Sequence, residues 1–290
     1  VAQNGDLIVI ASGCSDPGPE TRGTSLPSIV SRSSDGGRTW SIERNAFPGG
    51  WPVAARRESS PEGYITPFGD ILPGADGALR AGFYAAVMGA GFVYRSPDDG
   101  KTWIQQAVID RNAEIYEPAL FHLGNGKWLA ATRFEGMDLY SSCDDAVTWT
   151  RQETLSRLKK YPGHFMRLKD GRILLSYGNP GWIEVRFSSD DGATWDVAHH
   201  LVDFQGDGGY PSSVQLPDDR ILTAYYRQRK RWEGYYMATV TWDLPVLREI
   251  RVKERSEPQP NQRVDRHTVC CQRIEKTSGK HPRNLKNHEL

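Results

Sequence analysis

The chain of 290 residues balances 36 Lys and Arg against 36 Asp and Glu, so it offers no net field to attract nucleic acid or an anionic bilayer. It holds no apolar run long enough to cross a membrane as a helix. The opening Val1-Ala2-Gln3-Asn4-Gly5-Asp6 lacks the basic start and apolar core of a signal peptide and, without an initiating Met, reads as a mature or truncated product. Four cysteines (Cys14, Cys143, Cys270 and Cys271) have the spacing of neither a disulfide framework nor a zinc site.

In chain order, Leu7-Ile8-Val9-Ile10 follows a Gly5-Asp6 turn and reads as a first strand. Ser33-Ser34-Asp35-Gly36-Gly37-Arg38-Thr39-Trp40 then gives the first copy of an eight-residue box, Ser-x-Asp-x-Gly-x-Thr-Trp. Asn45 to Gly63 is a long connection rich in Pro, Gly and charge, a length commonly tied to function or mobility. The second box runs from Ser96 to Trp103. Ala119–Leu123, Gly124-Asn125-Gly126 and Trp128–Thr132 make a hairpin whose turn residues supply positive φ. The third box, Ser142 to Trp149, carries Ala146 in place of Gly. Residues 153–160 are the best helix candidate and are short. Two more hairpins, Phe165–Tyr177 around Asp170-Gly171 and Val214–Tyr225 around Asp218-Asp219, flank the fourth box, Ser188 to Trp195.

Trp40, Trp103, Trp149 and Trp195 mark a period typical of supersecondary units arranged in a ring. Each box adds a third strand before its Ser and a fourth after its Trp, which is the signature of a four-stranded propeller blade. Five units are visible, at about 1–45, 60–110, 113–157, 160–205 and 208–245. The expected fold is an all-β propeller over residues 1–245, six-bladed, with a five-bladed or shortened form as the alternative. Residues 246–290 contain no aromatic residue and an excess of Lys and Arg, and read as a poorly ordered tail.

The boxes invite a calcium reading, which fails because calcium loops need alternating oxygen ligands and a distal Glu. As turns they make physical sense. Asp accepts backbone hydrogen bonds, Gly supplies the unusual dihedral, Ser and Thr cap the two ends, and Trp packs between blades. Ala146 should strain its turn without abolishing it.

These boxes are the Asp boxes of the sialidase (neuraminidase) superfamily, and the chain resembles bacterial-type exo-α-sialidases over roughly residues 5–245. In that family an Asp in an Asp-x-Pro-Gly-Pro-like loop before the first box is the acid/base, and Asp16-Pro17-Gly18-Pro19 stands in the same place. Glu117-Pro118 and Arg133, on either side of Gly124-Asn125-Gly126, resemble the family's Glu and one of its arginines. A further arginine precedes the last box, where Arg186 is the nearest match and Arg167 a second. Gly209-Tyr210-Pro211-Ser212-Ser213 resembles the segment that carries the nucleophilic Tyr. The family's first arginine, in an Arg-x-Pro motif, would precede Val1, and one blade fewer separates the first box from Glu117.

The resemblance implies a retaining glycoside hydrolase that removes a terminal acidic sugar from a glycan or glycoconjugate. Asp16, Glu117 and Tyr210 would be catalytic, Arg133 and Arg186 would hold the substrate carboxylate, and no cofactor or metal would be needed. A carboxylate on the anomeric carbon repels an anionic nucleophile, which a neutral Tyr deprotonated by Glu avoids. A secreted or periplasmic location follows from the resemblance alone.

Each residue also has an ordinary reading. Asp16 would sit in a simple turn, Glu117 would be a strand-edge carboxylate, and Tyr210 would be a core aromatic. Arg186 shares a face with Glu184 by period two, whether that face lines a cavity or meets solvent. Trp51, Tyr64, Trp182, Tyr225, Tyr226 and Trp232 would pack in the core or stack on sugars. A non-catalytic carbohydrate- or protein-binding propeller, and a polysaccharide lyase on the same scaffold, are the alternative functions.

Overall fold

The computed structural model describes residues 1–13, 26–48, 65–85, 89–156, 162–228 and 234–244, and every regular element among them is a strand. Five antiparallel sheets follow one another along the chain. Blade 1 holds β1 (Leu7–Ala11), β2 (Ile29–Ser33) and β3 (Ser41–Ile42). Blade 2 holds β4 (Thr66–Pro73), β5 (Leu79–Ala85), β6 (Ala90–Ser96) and β7 (Ile104–Val108). Blade 3 holds β8 (Tyr116–Gly124), β9 (Lys127–Arg133), β10 (Met137–Ser142) and β11 (Thr150–Ser156). Blade 4 holds β12 (Gly163–Arg167), β13 (Ile173–Asn179), β14 (Trp182–Ser188) and β15 (His199–Asp203). Blade 5 holds β16 (Gly208–Gln215), β17 (Ile221–Gln228) and β18 (Tyr235–Trp242).

One expectation changes. The described residues build five blades, not six, because their strands fall into five sheets. Residues 153–160, the best helix candidate in a sequence with no convincing helical period, are not helical in their described part. Thr150–Ser156 pairs with β10, and the Thr-rich strand fits a pleated edge better than a helix. Residues 157–160 and the tail from 246 lie outside the described residues.

The first strands β4, β8, β12 and β16 pack on one another from blade to blade and so line the axis. Strands alternate in direction within a blade, and the boxes close the third-to-fourth turns. Box turns and first-to-second turns therefore share one face. The starts of the inner strands and the second-to-third turns share the other.

Blade 1 departs from this scheme. Its box lies between β2 and β3, so β1 takes the second position. The preceding turn (Ala2 N–H to Asp6 O, 2.8 Å; Gly5 N–H to Ala2 O, 3.0 Å) repeats the turns that directly follow β4, β12 and β16. No innermost strand is present among the described residues of blade 1. β1 instead faces β4 across a cavity of about 500 Å3 lined by Ile8, Val9, Ile10, Phe68, Asp70 and Ile71.

The core lies between blades. Val30 and Phe47 meet Phe83 and Trp103 at the first junction, and Val93 and Ala107 meet Leu120 and Trp128 at the second. Leu129 and Leu139 meet Ile173 and Trp195 at the third, and Leu174 and Val185 meet Ile221 at the fourth. Trp103, Trp149 and Trp195 thus pack on the preceding blade. Trp103 is 1% exposed, whereas Trp40 is 46% exposed because no blade precedes it among the described residues. The expectation that every box Trp packs between blades fails at Trp40 for that reason.

Within the second box, Asp98 Oδ1 accepts from the Thr102 N–H at 2.8 Å and the Ser96 hydroxyl at 2.9 Å, and Oδ2 accepts from the Thr102 hydroxyl at 2.7 Å. The same bonds hold the carboxyl of Asp35 down to about 2, the Thr39 N–H first among them. An unforeseen bond returns from the indole: Trp103 Nε1 donates to Gly100 O at 3.1 Å.

Ala146 adopts φ 67°, and its N–H reaches the Ser142 hydroxyl at 3.1 Å, against 2.7–2.8 Å in the other three boxes. The turn is stretched but intact. Ala146→Gly is expected to shift stability by no more than about 1 kcal/mol in urea denaturation. Relief of the left-handed backbone, ~1 kcal/mol, is offset by loss of a buried methyl, ~0.8 kcal/mol.

Candidate active site

Glu117 and Tyr210 begin the innermost strands of blades 3 and 5, on the face opposite the boxes. Both precede a proline, both have positive φ (48° and 53°), and both sit where the ladder register shifts. The physical cause is shared. Pro118 and Pro211 have no N–H to give a neighbouring strand, so the ladder skips a residue and the strand bulges. A bulge re-aims the side chain, here toward the axis. A left-handed residue before proline is held against its own preference, and such strain costs about 1–3 kcal/mol per residue.

The two bulges bring the side chains together. The Tyr210 hydroxyl donates to Glu117 Oε1, and Arg133 Nε, from the end of β9, meets Glu117 Oε2. Glu117 is 4% exposed. Burial raises its pKa above the usual carboxylate value, opposed by the Tyr210 hydrogen bond and by Arg133. Burial also pushes the Tyr210 phenol far above its ordinary value, reinforced by the hydrogen bond to Glu117 and its charge. Tyr210 is therefore a neutral phenol at rest, bonded to the carboxylate best placed to take its proton.

Packing fixes this pair. Phe68 meets the Tyr210 ring edge-on at 6.1 Å, and Tyr226 lies tilted against it at 5.5 Å. Phe68 also forms a wall of the cavity beside β1. At Gly82 on β5, an added Cβ would come within 2.5 Å of the Pro118 carbonyl oxygen. Glycine there is what allows the Glu117-Pro118 bulge to sit against blade 2.

Of the residues expected from the sequence, Glu117, Arg133 and Tyr210 are brought into contact. Arg186 is not. It lies on the third strand of blade 4, where its guanidinium donates to the Tyr177 hydroxyl at 3.0 Å, Asp196 O at 2.7 Å and Leu155 O at 3.2 Å. Arg167 bonds to Gly171 O and Asp191 near the box turns. Asp16 lies outside the described residues. The ends of its interval, the close of β1 and the start of β2, are on the face that carries Tyr210.

The sequence reading missed Asp70 and the link it makes to His164. Asp70 Oδ2 lies 3.7 Å from His164 Nε2, and His164 Nδ1 accepts the Ser213 N–H at 3.3 Å. Burial lowers the His164 pKa, against the pull of Asp70. Both residues stand on innermost strands, which is the one signal that could have singled them out. Among the described residues no group of His, Cys, Asp and Glu is arranged to hold a metal ion. No described helix is long and apolar enough to cross a membrane.

Successive antiparallel sheets whose first strands line a common axis define, as a class, a β-propeller. The sequence matches the BNR repeat-like domain over residues 2–223, and the chain belongs to that family. Its fold is similar to a Dyadobacter fermentans protein of unknown function, with 23% identity over 84% of this chain and 74% of that one and a TM-score of 0.67. It is also similar to Penicillium chrysogenum α-L-arabinanase complexed with arabinobiose (20% identity, 66% of this chain and 64% of that one, TM-score 0.51). A third similar structure is Trypanosoma rangeli sialidase with 2,3-difluorosialic acid as a covalent intermediate (18% identity, 82% of this chain and 38% of that one, TM-score 0.52). The chain thus spans less than two thirds of the arabinanase and the sialidase. No curated protein matches it significantly.

Proposed function

We propose that the protein is a retaining glycoside hydrolase in which Tyr210 is the nucleophile and Glu117 its base. The observation that carries this reading is the Tyr210 hydroxyl donating to the buried Glu117 carboxylate, the two held by matched bulges. Tyr210 Oη attacks the anomeric carbon while its proton passes to Glu117. The glycosidic C–O bond breaks, and Asp16 protonates the leaving oxygen. Water, deprotonated by Asp16, then releases the sugar, and the departing tyrosyl oxygen takes its proton back from Glu117. A neutral nucleophile suits a terminal acidic sugar, because no carboxylate approaches another. The covalent intermediate of the Trypanosoma rangeli sialidase supports such a route on this fold.

A second reading has its own support. Arg186 is occupied by Tyr177 and two backbone carbonyls, and Arg133 is engaged by Glu117, so no cluster of arginines faces an anion among the described residues. That favours a neutral sugar such as the arabinose of the arabinanase complex. Fluorogenic sialoside and α-L-arabinofuranoside, tested in parallel with Asp16→Ala, separate the two. Turnover of neither would sink both readings.

The charge balance on Glu117 yields a pH prediction. Its pKa lies above the ordinary carboxylate value, and Arg133 works to lower it. Glu117 must be ionised to accept the Tyr210 proton, so activity falls as pH drops through this pKa. Arg133→Met removes the lowering influence and is expected to move the acid limb of kcat/KM to higher pH by about one unit or more. An unmoved or downward-shifted limb would assign that ionisation to another group.

A further inference from the structure

Phe134 is 43% exposed, on the same face as Tyr210, in the turn that joins β9 to β10. Single exposed apolar side chains are ordinary, but this one is built into a platform. Its ring lies nearly parallel to Tyr116, at 5.8 Å and 14°, and Tyr116 in turn leans on Tyr84 at 6.2 Å. The Phe134 N–H bonds to Gly136 O at 3.2 Å, which fixes the turn. Covalent continuity ties the platform to the site: Phe134 directly follows Arg133, and Tyr116 directly precedes Glu117. The bulge and ion pair that set Glu117 therefore also set these two rings.

We infer that the Tyr116–Phe134 stack is a second sugar subsite, receiving a neutral sugar ring next to the one processed at Tyr210. A sugar ring has a face of C–H bonds and an equator of hydroxyls. A flat, supported and half-exposed aromatic ring matches the first. The inference rests on the glycosidase reading for the position of the processed sugar, but not for binding itself. It makes the protein a reader of at least two linked sugars.

Binding to the full chain carrying Tyr210→Phe isolates recognition from turnover. The probes are sialyllactose against free sialic acid, and arabinotriose against arabinose, titrated by calorimetry. One oligosaccharide should bind more tightly than its monosaccharide, and adding Phe134→Ala should weaken that oligosaccharide about five- to tenfold without changing the monosaccharide. Phe134→Trp should restore the difference, which excludes a folding defect as the cause. Equal weakening of both sugars, no effect of Phe134→Ala, or no binding of any probe would overturn the subsite. If wild-type protein hydrolyses no glycoside while the Phe134-dependent difference persists, the glycosidase reading fails and the subsite stands.

Discussion

Tyr210→Phe is expected to lower kcat by about a thousandfold or more on whichever glycoside the protein turns over, with the fold intact. A factor of that size corresponds to ~4 kcal/mol of barrier. It removes one oxygen, which in the proposed reaction forms the bond to the anomeric carbon. The ring contacts with Phe68 and Tyr226 remain, so the thermal melt should move little. KM should change less than kcat, because a nucleophile acts on the transition state more than on the bound substrate. Glu117→Gln is expected to fall by a comparable factor, and the double variant by little more than either alone, since the two side chains act as one unit. A Tyr210→Phe protein within tenfold of wild type would remove Tyr210 from the chemistry. Burst kinetics offer a second view: mass spectrometry of trapped protein should find a glycosyl adduct on Tyr210 and none in the variant.

The legibility of this site in the sequence was uneven, for identifiable reasons. Glu117 and Tyr210 were found through resemblance, yet a physical signal was present in both: a polar, titratable residue followed by proline at the start of a strand. Proline cannot join a ladder, so Glu117-Pro118 and Tyr210-Pro211 were each bound to bulge. Pro211 repeats the device of Pro118. Arg186 was singled out as the nearest match to the family's arginine before the last box, and alternation along its strand gives a face without saying which strand of the blade it belongs to. On the third strand that face turns to Tyr177 and the backbone of the neighbouring blade, away from the axis. Asp70 and His164 were invisible because nothing local marks an innermost strand. That position exists only once the blades are arranged around an axis.

The boxes were the loudest signal, and their turns form as the sequence implied, but one of their residues does more than expected. The position after the box Asp, left variable in the pattern, is Asp99, Asp145 or Asp191 in the last three boxes, each with φ between 55° and 62°. Asp145 reaches into the preceding blade, where Oδ2 meets Arg80 at 2.8 Å and Oδ1 accepts from the Ala75 N–H at 3.2 Å. It also accepts from Trp128 Nε1 at 2.8 Å within its own blade. Asp99 does the same for blade 1 through the N–H groups of Gln3 and Asn4.

Burial decides what each is worth. The Arg80 side chain is 2% exposed and that of Asp145 18%, whereas the side chains of Asp191 and its partner Arg167 are 64% and 38% exposed. Removing one partner of a buried ion pair leaves a charge with too little solvent and costs about 3–5 kcal/mol, against roughly 0–1 kcal/mol at an exposed pair. Asp145→Ala is therefore expected to destabilise the chain by about 3 kcal/mol, the lower end, because Asp76 still holds Arg80. Asp191→Ala, at the same box position, is expected to change stability by less than about 1 kcal/mol. Urea denaturation of the two variants gives the comparison. Equal effects would mean that the box position, rather than its burial, sets the energy. If Asp145→Ala also separates one unfolding transition into two, the Arg80–Asp145 pair is what couples blades 2 and 3.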